Sequence, residues 1–145
     1  MNEEYERKAK AFYVTKLNGL GFTDVEVISS PADITANKNG KQWFFEIKAT
    51  KKQDSCFGAA TFTEWEQAFK TPDTFRFVII KISENEKCFE SLEFTPDEFM
   101  KYSSIPPIKV FFNINFKNMS GKKKTNMSRE SFELLSNTYK KLKKR

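Results

Sequence analysis

Asp33, Glu46 and Lys48 have the residue types and the spacing of a hydrolytic site. Glu46 and Lys48 interrupt "WFFEIKAT", residues 43–50, an otherwise apolar run. In an extended strand alternate side chains share a face, so Phe44, Glu46 and Lys48 point one way and Trp43, Phe45, Ile47 and Ala49 the other. Asp33 precedes Glu46 by thirteen residues, across Asn39-Gly40, the dipeptide best suited to a two-residue type I′ turn. A hairpin of this length brings the two carboxylates within reach of one divalent ion. Two carboxylates and the backbone carbonyl of Ile47 make an oxygen-rich set suited to Mg²⁺, with Mn²⁺ as a substitute. Such an ion lowers the pKa of a bound water and neutralises charge on a phosphate oxygen. Lys48 beside it would orient that water and stabilise negative charge in the transition state.

The elements that must hold these residues are legible in outline. Tyr5, Ala9, Phe12 or Tyr13, Leu17 and Leu20 recur at helical period, which predicts a first helix ending at Gly19 and Gly21. A short strand is expected over Val25 to Ile28, then a bend at "SSPAD", then the hairpin that contains Asp33 and Glu46. "TFTEWEQAFK" reads as a helix opened by a capping box from Thr63 to Glu66 and ended by Pro72 and Asp73. "FRFVIIKI" from Phe75 reads as a strand covered on both faces, with "KCFESLEF" as its partner. A second capping box, Thr95 to Glu98, starts a short helix. A further strand is expected in "IKVFFNINF", then a lysine-rich loop over 117–127 and a final helix over 128–143. That helix is capped by Ser128, with Phe132, Leu135, Tyr139 and Leu142 on one stripe. The length suits one domain, residues 1–145, with a core of about 3–82 and an extension over 83–145.

Composition narrows the chemistry. Histidine is absent, which removes serine–histidine triads, histidine zinc sites and histidine general bases. Cys56 and Cys88 are far apart and without metal-ligand spacing, so free thiols in a reducing cytoplasm are expected. No apolar stretch approaches the length of a bilayer crossing, and "MNEEYERKAK" does not read as a signal peptide. The net charge of +6 suits a polyanion such as nucleic acid, and Lys51 and Lys52, just after the charged strand, are candidates to touch it. The 16 Phe residues are expected in the core, not as a base-stacking platform. Glu-x-Lys by itself carries little, since "ERK" at Glu6 to Lys8 also contains it.

"SPAD" ending at Asp33, the hairpin, "FFEIKAT" and the helix and strand after it together resemble the PD-(D/E)xK nuclease superfamily over roughly residues 3–82. "EIKATKK" followed by "FTEWEQAFKTPDTFRFVIIKI" is most similar to the domain at the C-terminus of plant NO VEIN proteins, also found in many bacterial proteins linked to restriction or phage defence. The resemblance implies an α/β fold: a restriction endonuclease-like core with a mixed central sheet flanked by helices, in the order αβββαβ, here followed by β, α, β and α. It implies Asp33 and Glu46 as metal ligands and Lys48 as the catalytic lysine. An acid from the first helix is also implied, Glu6 or, one turn earlier, Glu3, and a polar residue from the second helix, Gln67. Two functions remain open: a Mg²⁺-dependent nuclease acting on nucleic acid, with DNA the expected substrate, or a non-catalytic DNA- or protein-binding module in a defence or repair assembly. A homodimer or a partner protein would supply specificity.

Overall fold

The computed structural model describes residues 3–106, 109–118 and 128–144. The chain divides into two compact units, Met1–Tyr102 and Ser103–Arg145, each described by itself.

The first unit begins with α1 (Glu3–Gly19), whose first turn carries Glu3, Glu4 and Glu6 and whose last turn carries Lys16, charges that complement the helix dipole. Ala9, Tyr13 and Leu17, at i, i+4 spacing, are its buried stripe. A Schellman motif ends it: Phe22 N–H donates to the Leu17 carbonyl and Gly21 N–H to Asn18, with Gly21 at φ +90. Five strands follow: β1 (Thr23–Val27), β2 (Ile34–Lys38), β3 (Lys41–Thr50), β4 (Phe75–Ile82) and β5 (Phe89–Phe94). They form one sheet in the order β1-β2-β3-β4-β5, antiparallel except for the parallel β3–β4 pair. The parallel pair needs a crossover, supplied by α2 (Phe62–Lys70) and a 3-10 turn at Pro72–Thr74. The short helix α3 (Pro96–Met100) closes the unit, so its boundary falls at Tyr102 and includes β5 and α3.

Asn39 and Gly40 both have positive φ, 54 and 75, as a type I′ turn requires, and fix the register Lys38↔Lys41 through Ile34↔Phe45. That register aims Ile34, Ala36, Phe45, Ile47 and Ala49 at α1, together with Val78, Ile80 and Ile82 of β4. The opposite face is aromatic: Phe77 stacks on Phe99 at 4.3 Å, and Trp65 of α2 packs on Phe77 at 4.7 Å. Phe45, Phe75, Phe77 and Trp65 are core residues, but the expectation that the phenylalanines lie in the core holds only in part, since Phe57, Phe111, Phe112, Phe116 and Phe132 are exposed.

Three expectations are corrected. The helix α2 is capped by Thr61, not Thr63: Thr61 Oγ1 accepts from Glu64 N–H, and the Glu64 carboxylate accepts from Thr61 N–H in return. "TFTE" and "TEWE" both offer Thr-x-x-Glu, and Glu66 instead pairs with Lys70 one turn on. Asp33 is not in a strand but one residue before β2. Residues 109–115 form no strand, and Lys109 to Lys117 are exposed, because an alternating pattern specifies a strand only where a neighbour offers its edge. Residue 108 of that expected strand, and 119–127 of the lysine-rich loop, lie outside the described residues.

In the second unit a 3-10 turn spans Phe116–Asn118, and α4 (Arg129–Lys143) is capped by Ser128, whose hydroxyl accepts from Ser131 N–H. On the expected stripe Leu142 is buried and Leu135 and Tyr139 are half-buried, but Phe132 is exposed. No helix among the described residues is long and apolar enough to cross a membrane. Cys56 and Cys88 are both free and exposed.

The two candidate caps separate cleanly on substitution. Thr61→Ala should destabilise the chain by about 1 kcal/mol. Thr63→Ala, at an exposed position, should change stability by less than about 0.5 kcal/mol. Urea denaturation of both variants checks this, and equal effects would restore the Thr63 cap.

Candidate functional site

The site arises where β2 stops and β3 continues. Asp33 N–H donates to the Phe45 carbonyl at 3.1 Å, so the backbone of Phe45, and two residues on that of Ile47, faces the β2 side of β3. Beyond Ile34↔Phe45 no β2 residue remains to pair with β3. The Asp33 carboxylate fills the gap: its Oδ2 accepts the Ile47 N–H at 2.8 Å. The Ile47 carbonyl points to the same vacated side. A pocket of about 130 Å³ opens there, lined by Glu6, Lys10, Asp33, Glu46, Ile47, Lys48 and Ala49.

The hairpin register continued by one pair sets Asp33 opposite Glu46, as the spacing predicts. Glu46 is 5% exposed, and Lys48 Nζ lies 3.1 Å from its Oε2. Glu6 arrives from α1, while Glu3, the alternative on that helix, is exposed and does not line the pocket. Gln67 is not brought here; its amide donates to the Thr71 hydroxyl at the end of α2. Lys51 pairs with Glu86 at 3.1 Å and lies over the Tyr5 ring, and Lys52 is exposed, both at the root of the loop that leaves β3.

Two residues escaped sequence reasoning. Lys10, one turn after Glu6 on α1, lies 3.4 Å from Asp33 Oδ1. Glu64 of α2 lies 3.4 Å from Lys48 Nζ while it caps its own helix. The Thr61-x-x-Glu64 spacing was the available signal for Glu64. For Lys10 the signal was its i, i+4 relation to Glu6, which puts both on one helix face.

The carboxyls around Lys48 are held in different states. Burial, then the negative charges of Asp33 and Glu64, push the Glu46 carboxyl up to about 8, against the pull of Lys48. Burial also opposes ionisation of Glu64, but hydrogen bonds from Thr61 and the Lys48 charge outweigh it and hold that carboxyl below its usual value. Burial alone would lower Lys48; Glu46 and Glu64 overcome it, and the ammonium is held above its usual value. At neutral pH Glu64 is therefore the standing counter-ion, Glu46 keeps its proton, and Lys48 is a fixed cation that donates hydrogen bonds and does not accept a proton. Divergent carboxyls beside one cation are the usual physical basis of an acid–base division of labour.

The oxygen donors available to a hard cation are the Asp33 and Glu46 carboxylates and the Ile47 carbonyl, with Glu6 on the pocket wall. Among the described residues no three acidic or cysteine side chains gather closely enough to hold a metal by themselves. Two carboxyl groups and a carbonyl are hard oxygen donors of the kind that Mg²⁺ takes alongside its own waters. Leaving out the protonated Glu46, three carboxyl groups, Glu6, Asp33 and Glu64, face two ammonium groups, Lys10 and Lys48, a balance that would suit an added cation.

The raised Glu46 value has a stability consequence with a definite sign. The folded chain retains a proton that the unfolded chain releases near pH 4.5, so this stabilisation is full below 4.5 and is lost as pH rises through about 8. Between pH 5 and 8 the wild-type melting temperature should fall by roughly 5 °C or more relative to Glu46→Gln, which cannot ionise. Calorimetry of both proteins across that range checks it; parallel pH profiles would contradict the assignment.

The family described as Protein NO VEIN, C-terminal, matches residues 5–92, which take in most of α1, four strands, α2 and most of β5, and with them every residue of the pocket. No curated protein matches the chain, and no solved structure does. A match over more than half of the 145 residues, centred on the sheet and its pocket, makes the chain a member of the NO VEIN C-terminal family.

Proposed function

We propose that the chain is a metal-dependent nuclease of the PD-(D/E)xK type, with a restriction endonuclease-like core, that hydrolyses phosphodiester bonds in nucleic acid, DNA being the preferred substrate. One observation carries the reading. Asp33, Glu46 and Lys48 line a single pocket with the backbone of Ile47 and an acid from α1, at the point where β3 loses its neighbour.

A Mg²⁺ ion bound by Asp33, Glu46 and the Ile47 carbonyl would supply an acidified water and neutralise charge on the phosphate. The chain's own groups do the rest. Lys48, fixed by Glu64, directs its ammonium at the phosphate and stabilises the charge that builds on its oxygens. Glu46 would be a ligand in its ionised form, and Glu64 remains the partner of Lys48. Asp33 Oδ2 accepts the Ile47 N–H, which holds the carboxylate rigid, and its Oδ1, now beside Lys10, would be the oxygen open to a cation. The net charge of +6 suits a polyanionic substrate, and the basic excess behind it lies in residues 103–145, outside the unit that carries the pocket. A cytoplasmic role in phage defence, restriction or repair agrees with the family resemblance and with the two free thiols.

A second reading, a non-catalytic binding module on the same fold, is favoured by a different observation. The polar groups are already paired among themselves, Asp33 with Lys10 and Lys48 with both Glu46 and Glu64.

Purified protein with plasmid, linear and branched DNA distinguishes the two. The nuclease reading expects cleavage with Mg²⁺ or Mn²⁺, lost by about 100-fold or more in Asp33→Ala and in Lys48→Ala. It also expects either ion to raise the melting temperature of the wild type but not of Asp33→Asn. No cleavage and no thermal shift would establish the second reading, and cleavage that survives both substitutions would place the activity elsewhere.

A further inference from the structure

The loop over 51–61 joins the strand that carries Lys48 to the helix that carries Glu64, and at its tip stands Phe57, 98% exposed. Among the described residues of the first unit no other large apolar side chain is so exposed; Tyr102 follows at 80%. The loop is anchored at its root. Thr50 Oγ1 accepts the Lys52 N–H at 3.1 Å and donates to the Ser55 carbonyl at 3.3 Å. The Gln53 amide donates to the carbonyls of Lys51 and Ile82, which ties the loop to the end of β4. At the far end the Thr61–Glu64 box holds the first turn of α2. Cys56, the residue before Phe57, is exposed as well. A hollow of about 600 Å³ lined by Lys51, Lys52, Gln53, Ser83 and Glu84 opens at the root of the same loop.

A single exposed apolar residue is ordinary, and a protein partner needs several, packed as the dry centre of an interface. Phe57 has no such company: Gln53, Asp54, Ser55 and Gly58 are polar or small, and all are exposed. One aromatic ring is, however, enough to stack on one nucleobase, and lysines at the loop root suit the phosphates on either side of it. Within an intact duplex both faces of each base are already covered. The ring can stack only where a base is unpaired or turned out of its helix.

We propose that Phe57 is a base-stacking residue, and that nucleic acid with an unpaired base beside the scissile phosphate, as in single strands, gaps and branch points, is the class of substrate for this site. The proposal rests on the nuclease reading and names its specificity determinant. Phe57 touches the substrate away from the reacting atoms; Lys52, exposed at the loop root, follows the backbone.

The test is fluorescence anisotropy in EDTA, which stops cleavage, with a labelled single-stranded oligonucleotide, the same sequence as a blunt duplex, and a duplex with a central gap. Wild type should bind the single-stranded and gapped forms more tightly than the blunt duplex. Phe57→Ala should weaken binding to the first two by roughly 5- to 150-fold and leave duplex binding and the melting temperature unchanged. Phe57→Trp should retain binding, and Phe57→Leu should fail like alanine, because stacking needs a π face and not apolar area. The stacking role is overturned if wild type binds the single strand and Phe57→Ala binds it equally, if leucine serves as well as phenylalanine, or if sedimentation shows that Phe57→Ala dissolves a dimer of the wild type. If wild type binds none of the three DNA forms nor a single-stranded RNA, the nuclease reading falls with it.

Discussion

A single hydrogen bond, from the Ile47 N–H to the Asp33 carboxylate, makes the rest of the site possible. β3 is twice as long as β2, ten residues against five, and its unpaired half must either be covered or leave backbone groups without partners. Asp33 answers that need with a side chain in place of a strand. The substitution leaves space where a backbone would have run, and that space is the pocket. It also leaves the neighbouring carbonyl of Ile47 turned into the opening. A purely structural requirement of the sheet edge thus places an acid, a carbonyl and a cavity together.

Electrostatics then sorts the groups that enter the cavity. Lys48 is shared by two carboxyls from different elements, Glu46 beside it on β3 and Glu64 across from it on α2. Helix capping and the lysine hold Glu64 ionised, while burial and the proximity of Asp33 keep Glu46 neutral. The arrangement gives the lysine a permanent partner and leaves the second carboxyl sensitive to any incoming positive charge. Lys10 plays the corresponding part for Asp33 from the opposite side of the sheet edge.

Those parts of this arrangement that depend on local rules could be read from the sequence. Asn39-Gly40 sets the turn, the period of two sets the faces, and together they put Asp33 opposite Glu46. The stripe Ala9, Tyr13, Leu17 identified the core face of α1 and with it Glu6. What escaped depends on tertiary partners. Two overlapping Thr-x-x-Glu pairs could each start α2, and the pair that forms is the one whose glutamate also meets Lys48. Lys10 is one of 25 basic residues; its i, i+4 relation to Glu6 puts it on the right helix face, but that it meets Asp33 depends on how α1 packs on the sheet. The alternation of Val110, Phe112, Ile114 and Phe116 shows a segment able to pair, but pairing needs an edge that the local sequence does not contain. Gln67 was assigned by resemblance alone, and on α2 it serves the helix end instead.

Glu64 ties together two properties that a protein engineer would otherwise vary separately. The carboxylate that starts α2 is also the one that braces Lys48, so a graft that replaces the helix, however well packed on Phe77, discards the brace with the cap. Transplanting this pocket to another scaffold therefore means moving the crossover as one piece, from the end of β3 to the first turn of α2. The loop between them sets the distance from cap to lysine, and a change in its length would be felt at the site before it was felt in the core.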